Sequence, residues 1–124
     1  DARNSAADAI ATAVDMRRRL AVFNTNQRAT RGPILENGIG IHYGEVIAGY
    51  IGSADRLEFT VIGPTVNLAA RIEHEARKPN PPILFSAAAA HKAGITASSR
   101  KVGTFQPKGI AGDIALFTLA SPDD

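Results

Sequence analysis

The sequence has no cysteine and no tryptophan, and only 6% of its residues are aromatic. Without thiols the chain can form no disulfide, no thiolate metal site and no cysteine nucleophile. Its three histidines are too few to support a transition-metal cluster. The lack of cysteine suits a reducing compartment, and we expect the chain to lie in the cytoplasm.

Long apolar runs and a strong excess of one charge are also missing. No stretch approaches the roughly 20 residues of a membrane-spanning helix, and no signal peptide opens the chain, so we expect a soluble segment without membrane contact. Fourteen Lys and Arg oppose twelve Asp and Glu, for a net charge of +2. The one basic run, Arg17, Arg18 and Arg19, fits a solvated helix face better than a phosphate-binding strip. We expect no nucleic-acid partner.

The remaining composition is typical of a globular protein. The 124 residues are 44% hydrophobic and 21% charged. This length and content predict one domain over residues 1–124, with enough buried surface for a core.

Apolar spacing predicts the secondary structure in chain order. Alanine-rich three- and four-residue steps predict a helix over residues 5–24, followed by a polar loop to residue 33. Residues 34–42 and 45–51 read as two strands joined by a turn near Tyr43-Gly44, the simplest account being a strand–turn–strand. The later elements are strand 59–62, helix 65–77, strand 83–85, a Ser86-capped helix to residue 93, and strands 101–105 and 114–119.

This order, α-β-β-β-α-β-α-β-β, predicts an α+β sandwich of ferredoxin-like type with a mixed, mainly antiparallel sheet. The chain opens on a helix, whereas such a sheet usually begins with a central strand on which that helix packs. We therefore expect part of the sheet to be missing upstream of this helix.

The helix after Gly63-Pro64 carries the candidate site. Asn67, Arg71 and His74 are spaced to share one helical face, which offers an amide, a guanidinium and an imidazole. A guanidinium suits phosphate or the charge on a transferring phosphoryl group. Spacing alone favours a structural role, in which Asn67 caps a local turn and Arg71 pairs with Glu75.

Two other features have plain interpretations. Gly38 and Gly40 are no dinucleotide fingerprint, because they lie within a strand and no helix follows to receive a pyrophosphate. They more plausibly permit a bulge or a close backbone approach across an interface. His42 is more often a packed or surface histidine than a ligand.

Two segments closely resemble the class III nucleotidyl cyclase catalytic domain. They are residues 38–53, GIGIHYGEVIAGYIGS, and residues 59–73, FTVIGPTVNLAARIE. They contain the glycine pattern and the Val-Asn-x-Ala-x-Arg helix of that family, and a weaker likeness, including Phe105-Gln106-Pro107-Lys108-Gly109, continues towards the C-terminus.

The resemblance implies an enzyme that makes a 3′,5′-cyclic nucleotide and pyrophosphate, as a homodimer with active sites at the interface. Asn67 would correspond to the asparagine that orients the ribose, and Arg71 to the transition-state arginine. Thr60 matches a base-selecting position where adenylate-specific members carry Asp or Thr, so ATP is the expected substrate. The family's triphosphate-binding lysine cannot be assigned, because Lys108 lies near but the residue two further on is Ile110.

The same resemblance defines what this chain lacks. The family's two metal-binding aspartates and base-selecting lysine belong to a strand and hairpin that would precede Ser5. We therefore expect roughly the C-terminal two-thirds of the domain, with the ligands for Mg²⁺ or Mn²⁺ in the missing segment, no metal ligand here and no activity in isolation. The alternative is a cyclase-like module that binds nucleotide or a partner chain without catalysis. Retention of Asn67 and Arg71 favours the enzyme, and a plain ferredoxin-like interaction domain leaves both unexplained.

Overall fold

A computed structural model describes residues 4–109 and 112–120. The elements are α1 (Ser5–Thr30), β1 (Ile39–Ile41), β2 (Ile47–Ser53), β3 (Arg56–Ile62), α2 (Pro64–Glu75), β4 (Ile83–Ser86), α3 (Ala87–Ala93), a 3₁₀ turn (Thr96–Ser98), β5 (Ser99–Phe105) and β6 (Ile114–Leu119). Among the residues so described, no helix has the length and apolarity needed to cross a membrane.

Four strands form the main sheet in the order β1-β4-β6-β5. The β1 and β4 strands run parallel, whereas β4 with β6 and β5 with β6 are antiparallel. Every residue of β4 is buried, because this short apolar run occupies the centre of the sheet. The predicted α+β architecture with a mixed, mainly antiparallel sheet is confirmed.

Helices cover both faces of this sheet. On one face α1 and α3 pack on β4 around Phe85, and on the other face α2 packs on Leu84. Neighbouring residues of a strand point to opposite faces, so β4 supplies both layers of the core. On its inner side α2 buries Leu68 and Ile72. This burial fixes which side of α2 faces solvent.

The glycines of β1 let α2 approach closely. A Cβ atom at Gly40 would overlap the backbone nitrogen of Glu73, and one at Gly38 would overlap the carbonyl oxygen of Ala76. The expected close backbone approach is therefore present, but its partner is a helix of the same chain and not another surface.

The predicted strand–turn–strand of residues 34–42 and 45–51 is wrong. The β1 strand is limited to Ile39–Ile41 and pairs with β4, while β2 pairs with β3 in a separate antiparallel hairpin. Residues before β1 turn to α1 instead, since the backbone N–H and C=O of Leu35 both bond to the side chain of Asn24, at 2.9 and 2.8 Å. Local β propensity could not reveal either partner.

The α1 helix also continues beyond the predicted end at residue 24. Polar residues replace apolar ones there, but the hydroxyls of Thr25 and Thr30 bond to the carbonyls of Ala21 and Asn26 at 3.0 and 3.2 Å. The helix ends at Arg31, whose left-handed φ of 59° forms the C-cap. Part of the predicted loop is therefore helix.

Candidate active site

The candidate site lies on the outer face of α2. The helix begins after Gly63, whose φ of 132° requires glycine, and Pro64 stands in the first turn where its missing N–H is not needed. Because Leu68 and Ile72 face the core, the side chains of Asn67, Arg71 and His74 are all exposed. The face predicted from spacing is confirmed as a solvent-facing surface.

Neither structural role proposed for Asn67 and Arg71 is present. Gly63 is the N-cap of α2, without a side-chain cap bond. Glu73 of this helix pairs with Arg77, which follows the helix, at 2.7 Å. Within residues 4–109 and 112–120, the Asn67 side chain has no hydrogen bond and Arg71 has no ion pair. Both polar groups are therefore available to a ligand.

One aromatic ring accompanies Arg71. The guanidinium carbon lies 6.0 Å from the centroid of the Phe105 ring, within the range of a cation–π contact. Phe105 is the last residue of β5 and is half-buried against the core under α2. Sequence analysis noted Phe105 only as part of a motif, because nothing local shows that the ends of β5 and α2 meet.

Thr60 lies in β3, the strand that leads into α2. It is half-buried and stands opposite Gly49 of β2. In the described part of the chain, its hydroxyl makes no hydrogen bond with Asn67 or Arg71. The three predicted site residues are thus on consecutive elements, with Asn67 and Arg71 sharing a face and Thr60 on the adjoining strand.

The β2–β3 hairpin carries an unusually apolar surface. Tyr50 and Phe59 stand opposite each other in an edge-to-face pair with ring centroids 5.3 Å apart, yet they remain 72% and 65% exposed. Further large exposed apolar residues of the hairpin are Ile47, Ile51, Leu57, Val61 and Ile62. Exposure on this scale marks an interaction surface.

His42 follows β1 and bonds to the start of α3. Its Nδ1 lies 2.7 Å from the hydroxyl oxygen of Ser86, which also accepts a hydrogen bond from the N–H of Ala89 at 3.2 Å as the N-cap of α3. Burial lowers the pKa of His42 below its ordinary value. The expected packing role of His42 agrees with this geometry.

A cleft of about 610 Å³ lies elsewhere, between the C-terminal end of α2 and the segment before β1. It is lined in part by Arg17, Glu36, Asn37, Lys78 and Asn80. Its polar side chains bond to one another, since Lys78 pairs with Glu36 at 2.8 Å and Arg17 donates to the Asn37 amide oxygen at 2.8 Å. The cleft includes none of the predicted site residues.

The metal site that the resemblance implies does not fit the residues present. Across the described residues, no group of three or more His, Asp or Glu side chains could hold a metal ion. Asp8 and Asp15 lie on α1, and Asp55 and Asp113 in turns, while Asp1 is outside the described residues. The lysine considered for triphosphate binding, Lys108, is exposed after β5. Ile110, two residues further on, lies outside the described residues.

Comparisons with known proteins agree on one family. A family model for the adenylate and guanylate cyclase catalytic domain matches residues 2–119. Adenylate cyclase 1 of Rhizobium meliloti (strain 1021) is 34% identical over 107 residues, which are 86% of this chain and 16% of that protein.

Solved structures show the same likeness. The guanylyl cyclase Cya2 superposes with a TM-score of 0.76 at 33% identity, over 94% of this chain and 60% of that one. The adenylyl cyclase CyaB from P. aeruginosa superposes with a TM-score of 0.81 at 25% identity, over 94% of this chain and 59% of that one. The chain therefore spans less than two thirds of the length of each of these relatives.

Proposed function

The chain belongs to the family of adenylate and guanylate cyclase catalytic domains, and from that premise we propose that it is part of an adenylate cyclase that converts ATP into 3′,5′-cyclic AMP and pyrophosphate. The observation that carries the proposal is the exposed face of α2, where, among the described residues, the Asn67 side chain has no hydrogen bond and Arg71 has no ion pair. A ligand with a sugar hydroxyl and a phosphate would use both groups.

The reaction forms one bond and breaks another at the α-phosphorus of ATP. The 3′-hydroxyl oxygen of the ribose attacks this phosphorus and loses its proton, while the bond to the oxygen bridging towards the β-phosphate breaks and pyrophosphate leaves. Negative charge grows on the phosphoryl oxygens during the transfer. The Arg71 guanidinium, always cationic, stabilises this charge through its forked N–H donors.

Asn67 and Thr60 position the substrate in this proposal. The Asn67 amide, one helical turn from Arg71, both donates and accepts hydrogen bonds and therefore suits a ribose hydroxyl. The Thr60 hydroxyl serves the adenine base, directly or through a group from outside this chain. Adenylyl and guanylyl cyclases both resemble the chain, so the preference for ATP depends on Thr60.

The proposed enzyme works as a homodimer, with the apolar β2–β3 hairpin buried against a second copy. This arrangement would remove Tyr50 and Phe59 from water and place active sites at the interface. Any divalent ions that take part in the reaction would have to be held by carboxylates other than those of the described residues. On one side, β1 has no strand neighbour among the described residues, which leaves that edge open to pairing with a further strand.

The experiment compares Arg71→Ala with Arg77→Ala in the complete protein that contains this chain. Arg77 is the matched control, because it is an exposed arginine just after the same helix and is paired with Glu73. Arg71→Ala should lower cyclic AMP turnover about 10²–10³-fold, the usual loss when one preorganised electrostatic donor is removed. Arg77→Ala should stay within a few-fold of the parent protein.

Two results would contradict the proposal. Turnover of a dimeric Arg71→Ala protein within a few-fold of the parent would remove Arg71 from the reaction. A complete parent protein that binds ATP analogues but forms no cyclic nucleotide would instead establish the non-catalytic nucleotide-binding module.

A further inference from the structure

We propose that Phe105 is a positioning residue that holds the Arg71 guanidinium in its working orientation. The proposal rests on the function proposed above, in which Arg71 stabilises charge on the transferring phosphoryl group. It adds a residue from the far end of the sequence, on β5, to a site otherwise built from β3 and α2.

The Phe105 ring has a fixed place in the fold. Phe105 ends β5, is paired with Ile114 of β6, and packs against the cluster that contains Leu68 and Ile72 of α2. The ring is therefore held by the same core that orients α2. The guanidinium carbon of Arg71 stands over this ring at 6.0 Å from its centroid.

Arg71 needs such a support because other restraints are lacking. Its side chain is exposed, is long and rotatable, and has no ion pair within the residues that the structure describes. The face of an aromatic ring attracts the cation through the ring quadrupole. This attraction uses no hydrogen-bond acceptor, so the contact restrains the cation while its N–H donors remain able to meet phosphate.

The kinetic test uses Phe105→Leu, Phe105→Tyr and Phe117→Leu in the complete protein. Leucine is apolar but has no aromatic quadrupole, whereas tyrosine retains the aromatic ring and its quadrupole. Phe117→Leu is the matched control, because Phe117 lies in the same sheet and packs against the opposite core cluster. Phe105→Leu should lower kcat about two- to five-fold with KM for ATP nearly unchanged, as expected for losing one cation–π contact.

The remaining variants separate positioning from general destabilisation. Phe105→Tyr should keep the kcat of the parent protein, and so should Phe117→Leu. In an Arg71→Ala background, Phe105→Leu should cause no further loss, because the group that it positions is gone. A Phe105→Leu enzyme with parental kcat, or a further loss in the Arg71→Ala background, would overturn the proposal.

A spectroscopic measurement tests the contact without relying on catalysis. In the complete protein with isotope-labelled arginine, the Arg71 side-chain proton resonances, assigned by their loss in Arg71→Ala, should be shifted upfield by the Phe105 ring. Phe105→Leu should abolish this shift and Phe117→Leu should not. If the parent protein shows the upfield shift but kcat is unchanged in both Phe105→Leu and Arg71→Ala, the proposed function itself is refuted. Unchanged kcat in Phe105→Leu alone would refute only the positioning role.

Discussion

At the scale of single residues, some polar side chains make hydrogen bonds or ion pairs within the fold, and others do not. Asn24 bonds both backbone groups of Leu35, and Arg77 pairs with Glu73. Asn67, on the outer face of α2, has no hydrogen bond to its side chain in the described ranges. A polar group that the fold does not need is a good candidate for a ligand contact, and this contrast supports the assignment of Asn67 and Arg71.

Thr60 gives a prediction about base choice. Valine has nearly the same shape and β propensity as threonine but lacks the hydroxyl. In the complete protein, Thr60→Val should lower the ratio of kcat/KM for ATP to kcat/KM for GTP about three- to ten-fold, the effect of one hydrogen bond. Thr104→Val, at an exposed position of β5, is the control. A parent protein that prefers GTP would contradict the prediction.

His42 gives a prediction about pH. With a neutral imidazole protonated on Nε2, the Ser86 hydroxyl donates to Nδ1 while accepting from Ala89. When His42 gains a proton on Nδ1, the Ser86 oxygen must accept hydrogen bonds from both His42 and Ala89. The Ser86 hydroxyl hydrogen then has no acceptor, and because Ser86 is only 3% exposed, water cannot easily replace it. Protonation therefore destabilises the folded chain.

The direction of the pH effect follows from the lowered pKa of His42. The unfolded chain binds this proton more readily than the folded chain. The contribution of neutral His42 to the free energy of unfolding is therefore complete above the ordinary histidine pKa of about 6.5, and it is lost as the pH falls through the folded-state pKa. His42→Asn keeps a hydrogen-bonding partner for Ser86 without titration. Histidine ordinarily changes charge between about pH 5 and 8, so urea unfolding is measured across this range. The free energy of unfolding should vary less with pH in His42→Asn than in the control His91→Asn. Equal profiles would refute the prediction.

At the scale of elements, the contact between β1 and α2 depends on glycine. The α2 helix presents Asn67 and Arg71 outward only because its other side lies directly on β1, where a Cβ at Gly40 would meet the Glu73 backbone. The position of the site face is therefore set by a strand that contains none of the site residues.

This packing predicts a large difference between two glycine substitutions. Gly40→Ala should lower the free energy of unfolding by about 1–3 kcal/mol, because backbone atoms must move to admit the methyl group. Gly103→Ala is the matched control in the same sheet, since a Cβ there meets nothing within 4 Å. Urea denaturation of both variants checks this, and equal stability would mean that α2 does not pack closely on β1.

At the scale of the whole molecule, we expect the isolated chain to associate but not to catalyse. The β2–β3 hairpin leaves Tyr50 and Phe59 in water, so a second copy should cover them. Sedimentation velocity should detect dimers, and Tyr50→Lys should weaken them at least ten-fold by placing a charge in the apolar surface. Val22→Lys, at an exposed apolar position on α1, should not. Dissociation by Val22→Lys alone would locate the interface on α1.

The same isolated chain should form no cyclic AMP from ATP and Mn²⁺. Its described residues hold no cluster of carboxylates and imidazoles that could bind a metal, and the complete protein is expected to supply those ligands from outside this chain. The measurement compares both proteins at equal concentration. Turnover by the isolated chain comparable to that of the complete protein would show that the metal ligands lie within it.

Local sequence patterns predict most of the elements and the site face. Helical spacing predicted the shared surface of Asn67 and Arg71, because residues three and four apart meet on any α-helix. The uninterrupted apolar run at Ile83 predicted a strand, and the Gly63-Pro64 step predicted the start of α2. These features depend on local backbone geometry, which nearby residues dictate.

Which distant elements meet depends on the folded chain. The fold pairs β1 with β4 and places the Phe105 ring beside Arg71. Both contacts join groups far apart in the sequence, through hydrogen bonds or packing that both partners must supply. Local propensity contains no information on such partners, because the energy that selects them appears only when the chain is folded.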